Sequence, residues 1–88
     1  MASYYYTYVL RSLKDKIFYV GFTINLQNRM QQQHNNGLVK PTKHRVPLEL
    51  VYWEGCLNQQ DATRREKYLK TAWGKRYIKN RLKNYLTG

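Results

Sequence analysis

The stretch Tyr4-Tyr5-Tyr6-Thr7-Tyr8-Val9-Leu10, with Ile17-Phe18-Tyr19-Val20-Gly21 after it, decides the fold. Both runs are aromatic and β-branched, the make-up of a pleated, half-buried strand. Between them, Ser12-Leu13-Lys14-Asp15-Lys16 is short and mostly polar. Two such runs joined by such a segment predict a β-hairpin. A hairpin sets tyrosines from two strands side by side on one face, here Tyr8 and Tyr19. Gly21 ends the second run and removes a side chain where another group can approach the backbone closely.

Beyond the hairpin, Thr23 or Asn25 caps a helix start. Leu26, Met30 and Gln33 then recur at helical spacing, predicting a helix from Leu26 to Gln33 or His34, stopped by Asn35-Asn36-Gly37. Arg29 sits beside that apolar stripe, where its methylenes can lie on the core and its head in water. Residues 38–47 form a loop punctuated by Pro41 and Pro47 and charged by Lys40, Lys43, His44 and Arg45. So long an irregular segment in a small domain points to function or mobility. Leu48 to Glu54 reads as a third strand, with Leu48, Leu50 and Tyr52 on one side and Gly55 at its end. A helix from Gln59 to Trp73 follows, its stripe made by Ala62, Leu69, Ala72 and Trp73. Gly74 breaks it, and Tyr77, Ile78, Leu82, Tyr85 and Leu86 give a last basic amphipathic helix. The fold class is α+β, a three-stranded sheet with three helices in the order β-β-α-β-α-α.

Glu66 lies on the apolar stripe, between Ala62 and Leu69. A carboxylate there is costly unless it is paired or holds a metal. Spacing alone offers an ion pair with Lys70, at i,i+4 with the acid first.

Eighty-eight residues are expected to make a single domain, 1–88, with a small core. No run approaches the roughly 20 apolar residues of a membrane span, and residues 1–10 lack the features of a secretory leader. The lone Cys56 has no intramolecular partner, and no Cys/His cluster has zinc spacing. The expected location is the cytoplasm. The formal charge of +11 calls for an anionic partner. From Asp61 onward, nine Lys and Arg against two acids concentrate +7 of it. Nucleic acid is the first candidate for this charge interleaved with aromatics, ahead of a membrane surface or an acidic protein. Gly21, the loop cations Lys40, Lys43 and Arg45, and Lys70, Lys75, Arg76 and Lys79 are its expected contacts.

Several short motifs fall in a telling order. They are Tyr8; Tyr19-Val20-Gly21; Thr23 with Leu26 and Arg29; and His34-Asn35 with Gly37. Thr42 with Arg45 and Pro47, Leu50 with Tyr52, and Ala62 with Glu66 complete the set. The sequence resembles the GIY-YIG nuclease domains, of the small single-domain kind, over nearly its whole length. The first motif reads Tyr6-Thr7-Tyr8 in place of Gly-Ile-Tyr, and Phe22 stands where some members carry a lysine. His34 follows Arg29 by five residues where the family's usual spacing is four, which turns it about 100° further round a helix.

The resemblance implies the same β-β-α-β-α-α order and a phosphodiester hydrolase. It implies one divalent cation, Mg²⁺ or Mn²⁺, held by Glu66 in place of the simple ion pair. Tyr8, Tyr19, Arg29 and His34 join Glu66 as its catalytic set. Arg29 would meet charge on the phosphate, and Tyr19 is the expected base, helped by a neighbouring cation that favours phenolate. DNA stands ahead of RNA as substrate, chosen by shape or through a protein partner. The alternative is a basic nucleic-acid-binding module without chemistry, its tyrosines stacking bases.

Overall fold

The computed structural model describes residues 3–30 and 47–88. His34, Lys40, Lys43 and Arg45 lie outside the described residues, as do the expected end of the first helix at Gln33 or His34 and most of the loop expected over 38–47. Strands β1 (Tyr5–Ser12), β2 (Phe18–Thr23) and β3 (Leu48–Cys56) form one antiparallel sheet in the order β2-β1-β3. The hairpin therefore forms as expected, and its first strand is the central one. Ser12 organises the turn: its hydroxyl accepts from the Lys14 and Asp15 amides at 3.1 and 3.3 Å, and its carbonyl accepts from Lys16 N–H at 2.8 Å.

Helix α1 (Leu26–Asn28) opens on Asn25, whose side chain accepts from Asn28 N–H at 3.0 Å. Buried Thr23 supports that cap by accepting from Asn25 N–H at 3.1 Å. Both residues singled out as caps thus act in one junction. Helices α2 (Gln59–Leu69), α3 (Ala72–Arg81) and the short α4 (Lys83–Thr87) follow β3. The order is β-β-α-β-α-α, with α4 as a final short segment after α3.

The core has two parts, one on each face of the sheet. On one face Tyr8, Leu10, Met30 and Leu48 pack with Tyr19, Leu26 and Leu50. On the other, Val9, Leu69 and Ile78 pack with Phe18, Val20, Val51 and Tyr52 among others. The second face carries α2 and α3, and Thr7 ties α2 to the sheet by donating from its hydroxyl to the Ala62 carbonyl at 2.8 Å.

Three sequence expectations are corrected. Tyr52 does not share a face with Leu48 and Leu50. The β1–β3 register runs Val9↔Tyr52 and then Leu10↔Leu50, so Val51 is an extra residue and the alternation of β3 inverts across it. Tyr52 consequently packs with Val9. Helix α2 ends at Leu69 rather than Trp73, because Thr71 caps a new helix by accepting from Gly74 N–H at 3.1 Å. Trp73 leaves the apolar stripe and is 68% exposed, with the Arg76 guanidinium 5.1 Å from its ring centre. Gly74 lies inside α3, buried, where a Cβ would drive into the Tyr68 carbonyl and the Leu69 backbone. It is a contact point between α2 and α3 and not a helix breaker.

Candidate active site

The register of the hairpin builds the site. Tyr8 faces Gly21 across the β1–β2 pair, and Leu10 faces Tyr19. Residues two apart along a strand share a face, so Tyr8, Tyr19 and the bare backbone of Gly21 lie on one side of the sheet. The Tyr8 ring fills the space that Gly21 leaves. A Cβ there would stand 2.9 Å from Cε1 and closer still to Cζ and the hydroxyl. Only glycine permits this apposition, which is the close approach anticipated at that position.

Tyr8 is 3% exposed, whereas Tyr19 is half-buried. Burial pushes the Tyr8 hydroxyl above its ordinary pKa, the positive charge of Arg29 pulls it back, and the negative charge of Glu66 pushes it up again. Arg29, just past α1, and Glu66, in the middle of α2, therefore both act on the Tyr8 hydroxyl from separate elements. Arg29 thus acts on Tyr8 in the direction expected of a nearby cation, and desolvation outweighs it.

Glu66 also makes the ion pair that its spacing offered, with Lys70 Nζ at 3.1 Å from Oε2. Its side chain is 21% exposed against 56% for Lys70, so the acid is the sheltered partner. Other carboxylates are engaged elsewhere: Glu49 with Arg11, Asp61 with Arg64, and Glu54 with Arg65. Glu54 also accepts from the Tyr52 hydroxyl at 2.8 Å, which in turn lies 3.2 Å from the Tyr77 hydroxyl. Burial first, then these hydrogen bonds, raise the Tyr52 pKa. This network joins β3, α2 and α3 on the face away from Tyr8, and sequence reasoning missed it because the Val51 bulge hides it.

The structure thus brings Tyr8, Tyr19, Gly21, Arg29, Glu66 and, through its ion pair, Lys70 into one neighbourhood. Lys75, Arg76 and Lys79 stand exposed on α3, whose buried residues belong to the α2 side of the sheet. Among the described residues, no group of three or more His, Cys, Asp or Glu is placed to hold a metal ion. The donor set nonetheless fits a hard cation such as Mg²⁺, which takes one or two carboxylates and completes its shell with water and substrate phosphate. Glu66 is the residue that would hold it. No helix among the described residues is long and apolar enough to cross a membrane.

Comparison with known sequences shows what the chain is related to. The family model of the GIY-YIG catalytic domain matches residues 4–83, and the chain belongs to that family. Its relatives include proteins of the UPF0213 group. One from Clostridium perfringens is 44% identical over 66 residues, covering 74% of this chain and 69% of the relative. Another from Pediococcus pentosaceus is 42% identical, covering 75% and 68%. A third from Oceanobacillus iheyensis is 33% identical and covers 80% of both chains. No solved structure matches the chain at a significant level.

Proposed function

We propose that the protein is a divalent-metal-dependent endonuclease that hydrolyses phosphodiester bonds in nucleic acid, DNA ahead of RNA, by shape rather than by sequence. One observation carries this reading: Arg29 and Glu66, from different elements, both act on the hydroxyl of Tyr8. Binding alone needs no carboxylate in the middle of a chain with a charge of +11. Membership of the GIY-YIG family and the anionic partner that this charge demands support it further. We take residues 1–88 as one catalytic domain working in the cytoplasm, with substrate choice shared with a protein partner.

Hydrolysis adds water across a P–O bond: the water oxygen joins phosphorus, and the leaving oxygen departs with a proton. Arg29 binds the phosphoryl oxygens, where negative charge grows in the transition state. Tyr19, the more accessible tyrosine, orients the attacking water and takes its proton. Tyr8, with its pKa raised by burial, keeps its proton and donates a hydrogen bond to the substrate. Glu66 would hold a Mg²⁺ or Mn²⁺ ion, which when bound would supply Lewis-acid stabilisation of the phosphate and the leaving oxygen. His34, outside the described residues, stays in the proposed set on the strength of its motif.

The ion pair with Lys70 favours the second reading, a binding module whose Glu66 is purely structural. Glu66→Gln separates the two, because it preserves shape and removes charge. A part-exposed pair is worth about 1 kcal/mol or less, so the variant should melt within a few degrees of wild type and still bind nucleic acid. Under the nuclease reading it shows no Mg²⁺-dependent cleavage, while Lys70→Met, which breaks the pair and spares the acid, still cuts. Wild-type cleavage by Glu66→Gln would return the residue to an ordinary helix ion pair.

A further inference from the structure

On the same face of the sheet as Tyr8 lies an open groove of about 510 Å³, within the roughly 300–1,000 Å³ range of small-ligand sites. Its walls are Tyr6 and Trp53 from the sheet and Ile24, Leu26, Met30 and Leu50 from around α1 and β3. The Tyr6 and Trp53 rings meet edge to face, with centres 5.6 Å apart. Trp53 is 52% exposed and Ile24 69% exposed. A contiguous patch of large aromatic and aliphatic side chains left open to water marks a binding surface.

The register places this groove against the candidate active site. Trp53 is the β3 residue directly opposite Tyr8, so their Cα atoms are about 4.5–5.5 Å apart. Leu26, Met30 and Leu50 line the groove and also pack around Tyr8. Among the described residues, none that lines the groove is charged. A ligand seated here and at the active site together must therefore pair an uncharged, flat, apolar body with an anionic group beside it. A nucleotide has that form: the phosphate goes to Arg29 and Tyr8, and the base to Trp53 and Tyr6. The protein's charge of +11 selects such a polyanion over an apolar peptide or a lipid tail.

We propose that the Tyr6–Trp53 groove binds an unpaired nucleobase adjacent to the scissile phosphate, and that the preferred substrate contains a single-stranded or splayed nucleotide there. The inference rests on the nucleic-acid reading above and deepens it. A base within a duplex is stacked on both faces and cannot offer one to Trp53, whereas an unpaired base can. Aromatic stacking of this kind tolerates any base, because every base has a π-face.

The test uses the full chain in a Trp73→Phe background, which leaves Trp53 as the only tryptophan. Fluorescence is followed in EDTA, so that cleavage plays no part, while a short mixed-sequence single strand or a fully paired duplex of equal length is added. The single strand should quench Trp53 and the duplex should not. Trp53→Ala, read by anisotropy of the labelled strand, should weaken single-strand binding by about 5- to 150-fold and leave duplex binding unchanged. Trp53→Phe, which keeps a ring, should recover most of that loss and guards against a folding defect. Unaltered single-strand affinity in Trp53→Ala, or equal losses for strand and duplex, overturns the proposal. So does a groove that seats a second copy of the chain, seen as concentration-dependent dimerisation lost in Trp53→Ala with nucleic-acid affinity intact. The two readings fail separately. A cleaving enzyme indifferent to Trp53 loses only the groove, and a Trp53-dependent binder that never cuts loses only the nuclease.

Discussion

Gly21→Ala should cost both stability and any activity that depends on Tyr8, and the size of the effect follows from the apposition of the two residues. The added Cβ would stand 2.9 Å from Tyr8 Cε1 and nearer still to Cζ and the hydroxyl. Carbon atoms pack best at about 3.5–4.0 Å, so the ring must retreat by about 1 Å. It has little room, because Tyr8 is 3% exposed and packed with Leu10, Met30 and Leu48. Forcing an extra methyl into such a core costs about 1–3 kcal/mol, a drop in Tm on the order of 10 °C for a domain of this size. Displacing a catalytic group by about 1 Å costs on the order of 10²-fold in rate. A double-mutant cycle isolates the cause. In a Tyr8→Ala background the collision is gone, and Ala should then be better than Gly in a strand by about 0.5–1 kcal/mol. The sign of the Gly21→Ala effect on urea stability should therefore reverse, with a coupling of several kcal/mol at most. Equal destabilisation in both backgrounds would refute the reasoning, because the cost would then lie in the backbone and not in the tyrosine.

Gly74→Ala meets backbone rather than a ring, since its Cβ would press on the Tyr68 carbonyl and Leu69 Cα; it should lower Tm, by about 1–3 kcal/mol of stability, with cleavage per folded molecule unchanged. An unaltered melting curve would show that α2 and α3 are not held at that point. Tyr19→Phe should keep the fold and lower cleavage by about 10²–10⁴-fold, the usual worth of a positioned general base, with the smaller loss in Tyr8→Phe. If only Tyr8→Phe is silenced, the roles of the two tyrosines are exchanged. Alkaline stability carries its own sign: the folded chain holds the Tyr8 and Tyr52 protons more tightly than the unfolded chain does. Their contribution is whole below about pH 10, the ordinary tyrosine value, and is lost as pH rises beyond it towards the folded values. Urea titrations across that range should show stability falling, and less steeply in Tyr8→Phe and Tyr52→Phe. A wild-type stability that is flat or rising there would contradict both shifts.

The hairpin was legible because its strands are rich in aromatic and β-branched residues and its turn is short and polar; the register that sets Tyr8 opposite Gly21 came only with the structure. The last strand was legible only as a strand. From Leu48 to Trp53, apolar residues occupy both phases of the alternation, so periodicity cannot show that Val51 is a bulge. The inversion it causes sends Tyr52 to the α2 face and sets Trp53 opposite Tyr8. The end of α2 was hidden for a related reason. Ala72 and Trp73 continue the apolar spacing, and only the hydroxyl of Thr71, capping Gly74, tells that a new helix has begun.

The grouping at the site depends on elements far apart in sequence, and no spacing rule reaches across them. Arg29 follows α1, Glu66 belongs to α2 and Tyr8 to the central strand, so their convergence appears only when the sheet and helices are assembled. What the structure adds is a physical difference between two tyrosines that the motifs treat alike. Tyr8 is buried and held protonated by the core that surrounds it, while Tyr19 sits opposite Leu10 with more of its surface open. In the proposed chemistry a proton acceptor must be reached by water, and a donor must keep its proton at neutral pH. Within that proposal the buried hydroxyl of Tyr8 suits the donor's part, and the more open Tyr19 suits the acceptor's. Gly21, by making room for the Tyr8 ring, is the residue on which that division depends.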